Sequence, residues 1–233
     1  MNIISLVNTT IAKLLKGDAL PAILLRLYLA PVFIIAGYNK MQFSNSELNF
    51  VEQLFANPDI VAWFGNSEWG LGMPFPELLA NLAAWTEFFG GWLILVGLAT
   101  RLISIPLMFT MIIAATSVHL DNGWYAITPT NSDTSSAKVF SWLGFETAEA
   151  SLANSDKAAV RIAKIKDIVS DNGNPDWLYE TGNVVLLNNG IEFAATYFIM
   201  LLALFFIGAG RFVSIDYWLF KSEPDEVPER IDK

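Results

Sequence analysis

Five ionisable side chains lie within or beside apolar segments, where they could transfer protons or donate hydrogen bonds. Glu87 stands near the middle of the apolar run over 78–99. The other four lie in or at the ends of further apolar segments: Arg26, Lys40, His119 and Glu192. A carboxylate at the centre of a bilayer costs about 2.5–3.5 kcal/mol, so such a residue is normally paired, buried between helices or functional. Glutamate and histidine can carry protons, and arginine, lysine and histidine can donate to carbonyl oxygens.

The composition of the chain indicates a membrane protein. Of its 233 residues, 54% are hydrophobic and 16% are charged, whereas typical soluble domains have about 25% charged residues. The net charge of −9 excludes the basic surface that nucleic-acid binding needs. The absence of cysteine excludes disulfides, thiolate metal sites and covalent c-type haem attachment. Because there is a single histidine as well, we expect neither a metal site nor haem.

Four apolar segments predict an all-α membrane protein, a bundle of four transmembrane helices. Each segment has about the 20 residues that a helix needs to cross a bilayer. The predicted spans are 20–41, 76–99, 102–120 and 190–212. The segments around them are predicted to be an amphipathic interfacial helix, an outer connection with a short helix, an outer connection with a small helical cap, and a tail: 1–19, 42–75, 121–189 and 213–233.

The two outer connections contain predicted helices of their own. Ser44 and Glu47 have the spacing of a capping box, so the stretch over 44–57 is predicted to contain a short helix. Apolar residues recur at mostly helical spacing over 148–169. The sequence Asp171-Asn-Gly-Asn-Pro175 is expected to end that second helix.

The distribution of basic residues predicts the orientation of the spans. Cytoplasmic connections of membrane proteins carry an excess of lysine and arginine. The connection over 42–75 has neither residue, whereas five basic residues flank the spans on the other side: Lys13, Lys16, Arg101, Arg211 and Lys221. We therefore predict that both termini are cytoplasmic and that both long connections are periplasmic.

Helical spacing predicts which charges face one another inside the bundle. Each buried charge shares a stripe of three- or four-residue spacing with glycine or alanine, and small residues let membrane helices approach closely. The charges are therefore expected to face neighbouring helices. Depth along the spans predicts an interior pair of Arg26 with Glu87. An outer group is predicted at the periplasmic end: Lys40, His119 and Glu192.

Each of these predictions has a structural alternative. A pair of Arg26 and Glu87 could serve only to fix helix register, since buried pairs often specify packing and not chemistry. Lys40 could simply extend to the headgroups, and His119 could be ordinary interfacial polarity. Three tryptophans could form an interfacial aromatic belt instead of stacking on a ligand: Trp63, Trp69 and Trp124.

The sequence motifs of the spans resemble the DoxX family. The resemblance rests on Arg26 with Gly37-Tyr-Asn-Lys40, on Glu87-Phe-Phe-Gly-Gly91 with Gly97-Leu-Ala-Thr-Arg101, on His119, and on Glu192 with Gly208-Ala-Gly-Arg-Phe-Val-Ser-Ile-Asp216. The segment over 121–189 is similar to a subgroup with an enlarged outer loop. The resemblance implies a small four-helix protein of the bacterial inner membrane. It also implies a relation to a membrane subunit of thiosulfate:quinone oxidoreductase and to proteins of oxidative or quinone stress.

Two functional interpretations follow from these residues and this resemblance. In the first, the chain is a membrane subunit of an oxidoreductase system and binds a quinone or a similar lipophilic ligand. Its proton-transferring residues would be Glu87, His119 and Glu192, and its ligand-binding residues would be Arg26, Lys40 and Trp124.

In the second interpretation the chain catalyses nothing. It would be a membrane anchor or assembly factor whose polar cluster stabilises the bundle and whose cap binds a periplasmic partner. A third interpretation, a proton or small-solute pathway, lacks the inverted repeats and broken helices typical of transporters. Membrane lipid is an expected partner in every case, and the sequence leaves the oligomeric state open.

Overall fold

The computed structural model describes residues 19–220, and this part of the chain is helical, without β-strands. The predicted interfacial helix over 1–19 and the end of the tail lie outside the described residues. The α-helices, in chain order, are α1 Ala19–Lys40, α2 Phe50–Gln53, α3 Pro58–Gly65, α4 Pro76–Val96, α5 Thr100–Ile113, α6 Ala137–Trp142, α7 Glu146–Asn172, α8 Pro175–Leu178, α9 Glu192–Ile207 and α10 Ile215–Leu219. The described chain divides into two units, a membrane unit of residues 19–113 and 195–220 and a connection unit of residues 114–194.

Three helices of the described residues are long and apolar enough to cross a membrane. They are α1, α4 and the continuous helical segment Thr100–Asn122, in which α5 continues through a π-helical turn and a 3₁₀ turn. Their mean hydropathies are 2.1, 1.4 and 1.8. Helix α9 is equally apolar but has 16 residues, about 24 Å of helix against about 30 Å of hydrocarbon. The fourth span therefore stays a prediction.

The outward surfaces of these helices are apolar, as a lipid environment requires. Large side chains on α1, α4 and α5 are about half exposed or more, among them Leu24, Ile35, Leu82, Trp92, Leu102 and Phe109. Soluble monomers rarely expose contiguous apolar patches of this kind. The buried core of the unit is also apolar and is made by Leu29, Phe33, Ile94, Leu107, Leu201 and Leu204.

Glycines bring α1 and α4 into backbone contact. A Cβ added to Gly37 would lie 2.6 Å from Cα of Phe88, and one added to Gly91 would lie 2.8 Å from the backbone nitrogen of Ile34. Real Cβ atoms do not approach other atoms this closely. These two contacts fix how far α1 is displaced along α4, and they determine which polar side chains come level with each other.

We expect Gly37→Ala to destabilise the membrane unit by about 1–3 kcal/mol, because the added methyl group overpacks a backbone contact. Gly90→Ala is the matched control. Its Cβ would lie 3.2–3.3 Å from side-chain atoms of Ile103 and Leu107, a looser contact than that of Gly37 and one with side chains instead of backbone. Thermal unfolding of the detergent-purified protein should show a lower midpoint for Gly37→Ala alone. Equal midpoints for both variants would contradict the close packing of α1 on α4.

The connection between α1 and α4 contains two short helices: α2 lies within 44–57, where one was predicted, and α3 follows it. The capping box is formed by Asn49 and Glu52, not by Ser44 and Glu47. The Asn49 side chain accepts from the backbone of Glu52, and the Glu52 carboxylate accepts from the backbone of Asn49. Asn57 caps α3 through the backbone N–H of Asp59. The capping-box prediction was wrong because the same polar spacing occurs twice, and only the second copy directly precedes apolar residues.

The connection unit is built around α7, which runs somewhat beyond the helix predicted over 148–169. One face of α7 is buried, with Ala148, Ser155, Ala158 and Ile162 at helical spacing. The helix ends at Gly173, whose N–H donates to the carbonyl of Val169. Pro175 then begins α8. Proline and glycine therefore act at the positions where the sequence predicted a stop.

Candidate functional site

The Lys40 side chain forms an ion pair with Glu87 inside the membrane unit. The Lys40 Nζ lies 2.5 Å from Glu87 Oε2 and 3.4 Å from the carbonyl oxygen of Ala36. The Glu87 side chain is 7% exposed, whereas that of Lys40 is 24% exposed. The Glu87 carboxylate is therefore enclosed by protein, whereas the Lys40 side chain is partly accessible from outside.

The Lys40–Glu87 pair has one hydrogen-bond donor and one acceptor oxygen without a partner in the described residues. An ammonium group has three N–H donors, and Lys40 uses two of them within the described residues. Oxygen Oε1 of Glu87 likewise forms no hydrogen bond in that part of the chain. One donor and one carboxylate oxygen thus remain for a ligand or a proton.

Arg26 binds main-chain carbonyls and does not pair with Glu87, so the predicted Arg26–Glu87 pair is wrong. Its Nε donates to the carbonyl of Ile94 at 2.8 Å, and its Nη2 donates to that of Leu95 at 2.6 Å. Its Nη1 donates to the carbonyls of Ala209 and Val213 at 2.8 and 3.0 Å. The side chain is 3% exposed. These contacts, which we call the Arg26 clamp, join α1 to the C-terminus of α4 and to the segment after α9.

The Arg26 clamp places a positive charge where α4 leaves carbonyls without helical partners. The C-terminus of a helix carries a partial negative charge. Gly97 ends α4 in the left-handed conformation, with φ at 69°. A Cβ there would lie 2.8 Å from Cζ of Arg26. Glycine is therefore needed at this position for both its conformation and its lack of a side chain.

Asp216, which the sequence did not indicate as a candidate site residue, binds backbone N–H groups at the same end of the membrane unit. Asp216 accepts from the backbone N–H groups of Ala99 and Thr100 at 2.6 and 2.9 Å. These donors belong to the residue before α5 and to its first residue, where a helix carries a partial positive charge. The signal that could have identified Asp216 is its place in the motif after α9.

In the connection unit, His119 and Glu192 hold the backbone around them. Nδ1 of His119 lies 2.8 Å from the carbonyl oxygen of Asn189, and because a carbonyl can only accept, Nδ1 carries the proton. Oε2 of Glu192 accepts from the N–H of Ala126 at 2.9 Å. Trp124 is half exposed and lines a cavity of this unit. Catalytic or ligand-binding roles for these three residues stay predictions.

Two further features of the described residues concern charge. No group of three or more histidine, cysteine, aspartate or glutamate residues is arranged to hold a metal ion within residues 19–220. In the connection unit, the hydrogen bond and charge of Lys138 hold the pKa of the Asp133 carboxyl below its ordinary value. The Lys138 Nζ lies 2.5 Å from Asp133 Oδ1, and both side chains are exposed.

The fold and these buried charges define a helical membrane protein, and part of the chain matches the model of a known family. The DoxX family model matches residues 22–120, which assigns this part of the chain to the DoxX family. The matched region contains α1, α4 and α5, and with them Arg26, Lys40, Glu87 and His119. No curated protein and no solved structure matches the chain significantly.

Proposed function

We propose that this DoxX-type membrane protein is the quinone-binding membrane subunit of an oxidoreductase system. The proposal places it in the bacterial inner membrane with both termini in the cytoplasm. The observation that carries it is the Lys40–Glu87 pair, in which an N–H of Lys40 and an oxygen of Glu87 remain available beside an apolar surface. A quinone site needs such a donor for a carbonyl oxygen, together with apolar contact for the ring.

Aromatic side chains at the level of the pair offer flat faces to a quinone ring. The Tyr38 and Phe43 rings are stacked with centroids 5.1 Å apart, and Phe43 and Phe88 lie 5.2 Å apart. Phe88 directly follows Glu87, and Tyr38 precedes Lys40 by two residues. The ring cluster and the polar pair therefore lie at about the same level along α1 and α4, with Phe43 just after the end of α1. Flat aromatic surfaces of this kind pack well against a planar ligand.

The two charged residues would have different tasks in this site. A bound quinone supplies two-electron chemistry, for which a separate redox partner would deliver the electrons. Lys40 would orient a quinone carbonyl through its third N–H. Glu87 would hold or release a proton at Oε1. The proton-carrying roles proposed for His119 and Glu192 and the ligand contact proposed for Trp124 concern the connection unit and stay predictions. The hydrogen bonds of Arg26 favour a role in stability.

Quinone binding should be measurable without knowing the electron donor. Organic extraction and mass spectrometry of the purified protein should recover a quinone. Adding a short-chain ubiquinone should raise the midpoint of thermal unfolding, since ligand at about 100 times its Kd stabilises by about 2.7 kcal/mol. Lys40→Gln should abolish the upward shift while leaving a neutral partner for Glu87.

Lys157→Gln is the matched control, because Lys157 is exposed in the connection unit and has no hydrogen-bond or ion-pair partner among residues 19–220. It should retain the full quinone-dependent shift. A wild-type protein that neither co-purifies with quinone nor gains stability from it would contradict the proposal. The extraction result does not depend on whether Lys40→Gln folds.

An alternative function, as an anchor or assembly factor, is favoured by one surface of the connection unit. Helix α6 and the residues after it expose Trp142 by 74% and Leu143 by 69%. Phe140 and Phe145 are about half exposed in the same segment. A partner protein that covers these side chains would bury apolar area without using the Lys40–Glu87 pair.

A further inference from the structure

The connection unit contains a cavity of about 480 Å³, within the size range of small-molecule sites. Helix α7 contributes uncharged polar side chains at helical spacing: Thr147, Ser151, Asn154 and Ser155. Other parts of the lining are aromatic: Trp124, Tyr125, Phe140 and Phe145. No residue of the lining carries a charged side chain. A charged ligand would therefore lose its hydration without gaining an ion pair.

Helix α7 offers this cavity hydrogen-bonding groups that the rest of the described chain does not use. The side chains of Thr147, Ser151 and Asn154 form no hydrogen bond within residues 19–220. Hydroxyl and amide groups both donate and accept. Ser155 is different, because it is fully buried and its hydroxyl donates to the carbonyl of Ser151 at 3.1 Å. The side chains without a partner therefore lie on one side of α7, next to the buried Ser155.

The aromatic part of the lining combines exposed rings with a fixed phenol. Trp124, Phe140 and Phe145 are each about half exposed, so solvent reaches the cavity beside them. The Tyr125 hydroxyl lies 2.8 Å from the hydroxyls of both Ser135 and Ser136. It also accepts from the N–H of Ala137 at 2.9 Å. The cavity thus has accessible apolar ring faces and a wall that is held in place before any ligand binds.

We propose that this cavity binds a neutral, hydroxyl-rich ring compound, a saccharide of one or two units. Sugar hydroxyls donate and accept, which matches the unused groups of Thr147, Ser151 and Asn154. The C–H face of a sugar ring can pack on an aromatic side chain such as Trp124. A quinone ring only accepts hydrogen bonds and would leave the acceptors of α7 unmatched. All these residues belong to the connection unit, so the proposal does not depend on quinone binding at Lys40 and Glu87.

Saturation-transfer NMR with maltose tests the proposal on the full chain. The protein should be purified in lauryldimethylamine oxide, because glucoside and maltoside detergents carry sugar headgroups that would compete. We expect saturation transfer to maltose, and none or at least tenfold weaker binding for glucuronate and glucosamine, whose charges the cavity cannot pair. Absence of transfer to maltose, or equal binding of the charged sugars, would overturn the proposal.

Variants place the binding in the cavity. Thr147→Val combined with Ser151→Ala removes two unused hydroxyls and should weaken maltose binding by about tenfold. Ser170→Ala is the control, since Ser170 is exposed on the same helix outside the cavity. Trp124→Ala should also weaken binding. Unchanged affinity in the double variant, or displacement of maltose by short-chain ubiquinone, would show that the cavity is not a saccharide site.

Discussion

Arg26→Met should destabilise the membrane unit by about 3–5 kcal/mol. The substitution removes one cation and takes the guanidinium donors from the carbonyls of Ile94, Leu95, Ala209 and Val213. Of these four, the Ile94 carbonyl keeps the backbone N–H of Gly97, at 3.1 Å. Hydrogen bonds to charged groups contribute about 1.5–3 kcal/mol each, and buried groups left unpaired cost about 1–3 kcal/mol. Partial solvation of the freed carbonyls keeps the total below the sum of these terms.

Arg26→Lys should be nearly as damaging as Arg26→Met, because geometry matters here as much as charge. The guanidinium presents donors in a rigid planar fork, and this fork reaches carbonyls of two separate segments at once. A lysine ammonium has three donors at a single point. It can satisfy α4 or the segment after α9, but not all four carbonyls.

The Arg26 prediction is measured by thermal unfolding and size-exclusion chromatography of the detergent-purified variants. The midpoint should fall by roughly 10 °C for Arg26→Met. Arg161→Met is the matched control, since Arg161 is exposed on α7 and has no hydrogen-bond or ion-pair partner in the described chain. It should unfold like the wild type. A midpoint for Arg26→Met within about 1 °C of the control would show that the Arg26 clamp is not stabilising.

The apolar helices could be predicted from sequence, because length and hydropathy are local properties. The runs that became α1, α4 and the helical segment Thr100–Asn122 each exceed the length of ordinary soluble helices and contain few charges. Inward-facing glycine could be predicted as well, since close helix packing in membranes depends on small residues. The bounds of helix α9 could not be predicted in this way, because its start and end depend on contacts with neighbouring segments.

The partners of the buried charges could not be predicted, because they depend on helix register. The predicted depths assume that both spans begin and end at the same level in the bilayer. The contacts of Gly37 with Phe88 and of Gly91 with Ile34 instead displace the helices, so that Lys40 comes level with Glu87. Helix α4 begins at Pro76, about three turns before that level. Arg26 therefore meets the C-terminus of α4.

The outer group of Lys40, His119 and Glu192 depends on the same assumption about depth. Lys40 bonds to Glu87 in the membrane unit. In the connection unit, His119 and Glu192 bind backbone groups of Asn189 and Ala126. Main-chain acceptors and donors leave no signature in a side-chain pattern. For the same reason, neither the carbonyl partners of Arg26 nor the amide partners of Asp216 could be predicted from residue types.

Lys40→Met should destabilise the protein by about 3–5 kcal/mol, because it leaves the Glu87 carboxylate enclosed and without a cation. The double variant Lys40→Met with Glu87→Met should recover most of this loss. Replacing a buried ion pair by apolar side chains of similar size is often neutral or stabilising. Comparing both single variants with the double variant gives the coupling energy of the pair directly.

The double variant also separates the structural role of the pair from its proposed function. If the pair serves the quinone site, the double variant should fold with a near wild-type midpoint and still lose quinone-dependent stabilisation. If the pair only fixes the register of α1 on α4, that stabilisation should survive in the double variant. A double variant that is less stable than both single variants would mean that Lys40 and Glu87 do not stabilise each other, contrary to their 2.5 Å contact.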